Sequence, residues 1–195
     1  MKRLQHVLIG LMSLIACGVA CACSYGEQVP TEDTVTQTYD ITDFTGIQAS
    51  GALKIKFEQA DTFYVEATSV RSLLDALKVE NQAGVLRLGV SKNMSRWKKN
   101  EVTIKGPELR QLDLSGACTF TTGDVTLDTD AHINLSGATK LELGKVQCNM
   151  LVMEQSGASK IRGDFILNGE AHVMNSGAST YAGSWDATGM VRIQN

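Results

Sequence analysis

A few side chains in this sequence could do chemistry, and their spacing decides whether they can act together. Asp113 and Glu154 are carboxylates, His132 and His172 are possible metal ligands, and Cys118 and Cys148 are thiols. Glycoside hydrolysis needs two carboxyl groups about 5–5.5 Å or 6.5–9.5 Å apart. A zinc site gathers its ligands about 2 Å from one ion, and a disulfide needs Cα atoms within about 7 Å. Aromatic rings can bind sugars by stacking; here the candidates are Trp97, Tyr181 and Trp185. The sequence has no Gly-x-Ser-x-Gly nucleophile elbow and no phosphate-binding glycine loop.

A repeat fixes how these groups are placed. The phrases LSGACTF (114–120), LSGATKL (135–141), QSGASKI (155–161) and NSGASTY (175–181) put serines at intervals of 21, 20 and 20 residues. Three residues before each serine stand Leu112, Ile133, Met153 and Val173; five after stand Phe120, Leu141, Ile161 and Tyr181. Ten after stand Val125, Val146 and Ile166, a series that Asp186 breaks. A fixed period of this length marks a solenoid, and the short alternating runs exclude helical repeats. The pattern predicts an all-β, parallel β-helix with about 20 residues per rung, equivalent residues stacking about 4.8 Å apart. Each rung has room for three short strands and three corners. Ser115-Gly116, Ser136-Gly137, Ser156-Gly157 and Ser176-Gly177 are read as structural corners: glycine adopts backbone angles that side chains disfavour, and the hydroxyls bond from rung to rung or to local backbone.

On that spacing the chemistry thins out. Asp113 and Glu154 fall two rungs apart with Asn134 between, about 9.6 Å and so at or beyond the catalytic limit. His132 and His172 are equally separated, with Val152 between, which predicts no metal site. Glu142 and Arg162 occupy adjacent rungs as a surface ion pair, and Lys140 and Lys160 stack as a weak basic stripe. Cys118 and Cys148 sit on different sides of adjacent rungs, which predicts two free thiols. Tyr181 continues a core file and Trp185 follows Phe165 in phase, so a core role competes with ligand contact at both. Trp97, in the segment SKNMSRWKK, is the better candidate for an exposed contact. No cofactor is called for.

The rest of the chain frames the repeat. Met1-Lys2-Arg3 precedes the stretch VLIGLMSLIA at 7–16, an export signal too short to span a bilayer. LIAC at 14–17 resembles the lipobox of bacterial lipoproteins, which implies removal of residues 1–16 and acylation of Cys17. Cleavage before Cys23, or a lipid on Cys21 or Cys23, are the rivals. Loss of Lys2 and Arg3 takes the formal net charge from −3 to −5, which together with the absence of an obvious basic patch argues against nucleic acid as a partner. Residues 17–36 read as the acylated cysteine and a polar tether, 37–107 as a β-rich part with hairpins, and 108–195 as the repeats with an incomplete last rung. Within 70–79 the spacing of Val70, Leu73, Leu74 and Leu77 predicts one short helix. Gln82-Ala83-Gly84 reads as a hairpin turn, and Ser50-Gly51-Ala52 as an earlier copy of the corner. An open C-terminal edge predicts self-association.

FTGIQASGALKIKFEQADTFYVEA, VENQAGVLRLGV and VTIKGPELRQLDLSGACTF, followed by the Ser-Gly-Ala series, together resemble the GIN-domain family of Bacteroidetes envelope proteins. The likeness runs from about Ile41 to Asn195. It implies a right-handed β-helix-like fold, export to the envelope and adhesion, and supplies no catalytic or ligand residues. The expectation is a non-enzymatic, adhesin-like binding module on an outer-membrane lipoprotein. Its partners would be the membrane through the anchor and a glycan or cell-surface protein. A self-assembling envelope element and a polysaccharide-active enzyme are the alternatives.

Overall fold

Alternating apolar and polar residues make most of this chain β-strand. A computed structural model describes residues 33–90 and 100–194; Cys17 and Trp97 lie outside these. Among the described residues there are 18 strands and a single four-residue helix, α1 (Arg71–Leu74).

Each repeat sends one segment to each of two sheets. The smaller sheet takes β8 (Gln111–Gly116), β11 (Ala131–Leu135), β13 (Leu151–Gly157), β15 (Ala171–Gly177) and β18 (Val191–Gln194). The larger takes β9 (Thr119–Thr122), β10 (Val125–Thr126), β12 (Lys140–Cys148), β14 (Lys160–Leu167), β16 (Thr180–Ala182) and β17 (Trp185–Ala187). The earlier Ser-Gly-Ala copy behaves the same way. β2 (Gly46–Gly51) pairs with β8, setting Ser50 opposite Ser115 and Gly51 opposite Gly116, and β3 (Lys54–Gln59) pairs with β9.

Beyond β2 and β3 the arrangement changes. β4 (Tyr64–Val70) runs antiparallel to β7 (Asn100–Gly106), and β1 (Thr34–Tyr39) antiparallel to β4; β5 (Leu77–Gln82) runs antiparallel to β6 (Val85–Val90). The expected parallel β-helix solenoid is therefore corrected. The strands form two open, mixed sheets of ten and eight, parallel through the repeats and antiparallel at the N-terminal edges. A tight reversal joins β5 to β6. At Ala83-Gly84 both residues have positive φ, 53° and 81°, the signature of a two-residue hairpin turn, and the Asn81 side chain accepts a hydrogen bond from the Gly84 N–H at 3.0 Å.

Two boundaries also differ from expectation. The apolar spacing at 70–79 gives one helical turn, because Leu77 opens β5; Leu73, Leu74 and Leu77 are all buried, but Val70 ends β4 without a side-chain cap for the helix. β1 begins at Thr34, inside the segment read as tether.

Two of the sequence files are rows in the sheets. Leu112, Ile133, Met153 and Val173 are successive partners across β8, β11, β13 and β15, all buried. Phe120, Leu141, Ile161 and Tyr181 form the facing row. The third file is Val125, Val146, Phe165 and Trp185, not Ile166 and Asp186. A bulge in β12 between Glu142 and Lys145 shifts the register there. These rows meet in one apolar cluster drawn from both sheets.

The Ser-Gly-Ala corners fix the spacing between repeats. Gly116, Gly137 and Gly157 have φ of +82°, +81° and +89°. A Cβ on Gly137 would lie 2.5 Å from the carbonyl oxygen of Gly116. That oxygen instead accepts the Ala138 N–H at 2.8 Å, as Gly51 accepts from Ala117 at 2.7 Å and Gly137 from Ala158 at 2.8 Å. The hydroxyls of Ser115, Ser136 and Ser176 donate to the carbonyls of Ala49, Leu114 and Gln155 in the neighbouring strand, each at 3.4 Å. Gly137→Ala combines a left-handed backbone penalty with a clash and should cost about 2–4 kcal/mol in urea unfolding. Gly123→Ala is the control, since a Cβ there meets nothing within 4 Å; equal losses for the two would refute the corner assignment.

Candidate functional site

The core changes character along the repeats. One inward row runs Leu114, Leu135, Gln155, Asn175, so amides replace leucines toward the C-terminal edge. Three residues after each corner serine stand Cys118, Thr139, Ser159 and Ser179. Thr139 and Ser159 are buried and their hydroxyls lie 3.1 Å apart, within hydrogen-bond reach of each other. The Ser179 hydroxyl is buried and has no hydrogen-bond partner among the described residues.

Beside these polar groups stand three aromatic rings. Phe165 is fully buried, Trp185 stacks on it at 4.7 Å with 21° between planes, and Tyr181 lies 6.2 Å from Phe165 and 5.1 Å from Trp185. Phe165 therefore backs both rings. The Tyr181 hydroxyl donates to the Gly163 carbonyl at 2.8 Å, with the Ser184 carbonyl 3.1 Å away. Burial, and secondarily the charge of Asp164, push the phenol up to about 12, so it stays neutral. Tyr181 and Trp185 are only half-buried.

Between the two sheets at this edge lies a cavity of about 160 Å³. Gln155, Asn175, Ser179, Tyr181, Trp185 and Ile193 contribute to its wall, and among the described residues every lining side chain is uncharged. Two of the three aromatic candidates thus meet at one site, joined by amides and a hydroxyl that the sequence reading passed over. Their signal was present: Gln155 and Asn175 occupy the phase that leucine holds in the two preceding repeats. Two other cavities, of about 360 and 390 Å³, lie on the sheets. One, on the smaller sheet, includes Glu154, Met174 and Gln194; the other, on the larger sheet, includes Lys140, Glu142, Lys160 and Arg162.

A family model described as "Putative auto-transporter adhesin, head GIN domain" matches residues 43–191. The chain belongs to this family. Solved structures similar to this GIN domain include a "putative adhesin" from Bacteroides fragilis NCTC 9343, 16% identical, with 84% of this chain and 98% of that chain covered and a TM-score of 0.52. A "putative lipid binding protein" from Parabacteroides distasonis ATCC 8503 is 14% identical, covering 84% and 97% at a TM-score of 0.48. A "putative adhesin" from Parabacteroides merdae ATCC 43184 is 12% identical, covering 82% and 96% at 0.43. No curated protein matches the chain. At these identities the likeness speaks to fold alone.

The other chemical candidates of the GIN domain stay apart. Asp113, Asn134 and Glu154 are consecutive partners in one row, so the carboxylates stand two strands apart, and Asp113 accepts a hydrogen bond from Gln111 at 2.6 Å. His132 and His172 are likewise separated by Val152. Among the described residues no three His, Cys, Asp or Glu side chains group to hold a metal, and no helix is long and apolar enough to cross a membrane. Glu142 faces Arg162 in register, but its ion pair is with Lys140 on its own strand, at 2.7 Å. That hydrogen bond chiefly, then the Lys140 charge, holds the Glu142 carboxyl below its usual range.

Cys118 and Cys148 are free and buried. Burial raises both thiols, and with the Asp130 charge it pushes Cys148 up to about 11. The folded Cys148 keeps its proton where the unfolded thiol loses it. Its contribution to stability is therefore full below the ordinary thiol range and is lost as pH rises toward 11. Peptide-mapped alkylation with iodoacetamide at pH 8 should leave both residues unmodified in the native protein and label both in urea. Rapid native labelling of either would contradict its burial.

Proposed function

We propose that this chain is a non-enzymatic, adhesin-like binding module of the cell envelope, exported by residues 1–16 and held to the membrane by acyl chains on Cys17. The observation that carries the binding role is the aromatic cavity. Tyr181 and Trp185 are backed by Phe165 and face amide and hydroxyl groups, with no acid or base among the described wall residues. Such a wall offers apolar area and hydrogen bonds for recognition. Membership of a family of adhesin heads supports the same reading. The placement suits presentation. β1 and β16 stand at opposite edges of the larger sheet, seven strand spacings apart along its path, or about 34 Å.

The anchor and the exposure can be tested together. In fractionated cells the wild-type protein should pellet with membranes, and Cys17→Ser should move it to the soluble fraction, while Cys21→Ser and Cys23→Ser should not. Proteinase K applied to intact cells should remove the folded domain. Release by one of the other two substitutions would relocate the anchor, and full protection in intact cells with degradation after lysis would overturn surface binding.

A further inference from the structure

The geometry points to the end cavity as a subsite for one uncharged pyranose sugar, an assignment that rests on the binding-module reading and names its ligand. Three observations converge. Trp185 has one ring face covered by Phe165, 4.7 Å away, and is only partly buried, so it forms a rigid platform. The C–H face of a pyranose carries slight positive charge and packs on the negative face of such a ring. Secondly, the Ser179 hydroxyl is buried at the cavity wall and among the described residues has no partner, while the Gln155 amide, itself buried, donates to the Met153 sulfur at 3.0 Å. These groups suit the hydroxyl edge of a sugar. An apolar occupant, such as an aliphatic side chain, would leave the Ser179 hydroxyl unsatisfied. Thirdly, no described wall residue carries charge, and burial keeps the Tyr181 phenol neutral. Nothing there would compensate a sialic or uronic carboxylate for its lost water.

Ser179 separates binding from architecture. A buried hydroxyl without a partner destabilises the folded protein, so Ser179→Ala should leave thermal stability unchanged or higher. The same substitution should weaken sugar binding about three- to tenfold, the value of one hydrogen bond. The chain has two tryptophans, so in Trp97→Phe the indole signal comes from Trp185 alone. Methyl glucoside, galactoside and mannoside, with lactose and cellobiose, would be titrated into that variant by fluorescence and into the parent by calorimetry, alongside glucuronic and sialic acids.

The expected result is a saturable Trp185 response to at least one neutral probe, insensitive to salt. Trp185→Ala should lose at least tenfold in affinity. Overturning results are no response to any neutral probe, undiminished binding in Ser179→Ala, loss of binding in Trp97→Phe, or salt-dependent preference for the charged sugars. Concentration-dependent dimers that shield Trp185 would also overturn it. Each of these would leave fractionation and protease shaving as they were, so the sugar subsite can fail while the envelope-anchored module stands.

Discussion

The carbonyl of one corner glycine sits where the next glycine would carry a side chain, and this exclusion governs the rest of the structure. Gly116 approaches Gly51, Gly137 approaches Gly116, and Gly157 approaches Gly137 at the same short range. Each approach is held by an alanine N–H bonded to the glycine carbonyl before it. A β-carbon would push adjacent strands apart at the point where the chain passes between sheets. Because the corner closes only in one register, a strand cannot slip by one residue without losing both the bond and its buried face. The serine bonds are longer and supplement this constraint.

Fixed corners let side-chain variation be absorbed between them. β12 carries an irregularity at Glu142–Lys145, yet the corners before and after it remain aligned. The shift decides which residues reach the interior on the far side of the bulge. It brings Val146 inward beside Phe165, which the unbroken alternation of β14 already turns to the core and pairs with Trp185. The aromatic platform thus rests on the regular pairing of β14 with β16 and β17. Phe165 also offers two ring contacts, each worth about 0.5–1.5 kcal/mol beyond burial, which hold Tyr181 and Trp185 in place before anything binds.

Much of this was legible in the residues, for a physical reason. Files such as Leu112-Ile133-Met153-Val173 and Phe120-Leu141-Ile161-Tyr181 show because a buried row demands apolar side chains at every level. The Ser50-Gly51-Ala52 copy showed for the same cause, 65 positions ahead of Ser115, though the sequence did not reveal that the two corners pair side by side. What a period reports is which residues lie side by side; it says nothing of how the sheets close or which way their outer strands run. The antiparallel strands β1, β4 and β5 lie outside the repeat, and β5 depends on a reversal at the single turn Ala83-Gly84. The apolar spacing of Leu73, Leu74 and Leu77 fitted a helix because it also fits a turn entering a strand. The bulge broke the third file, since one displaced residue moves a side chain to the opposite face. The site was half legible. Tyr181 and Trp185 stood out as aromatics, whereas Gln155 and Ser179 became informative only once their rows proved to face inward.

Those inward polar residues set the balance between core and cavity. Leucine in the row of Gln155 and Asn175, as at Leu114 and Leu135, would add apolar burial worth about 1.5–3 kcal/mol per side chain. A polar group in such a row must find a partner to recover its desolvation cost. Thr139 and Ser159 do so with each other, and their polarity is thereby compatible with a closed interior. Ser179 repeats the chemistry one strand further on, where the mutual pairing ends and the neighbouring rings are half-covered. Stability alone would favour a small apolar residue there. The hydroxyl is therefore most useful to an occupant that brings its own hydrogen-bonding groups, and the same sequence change that would tighten the core would blunt the cavity.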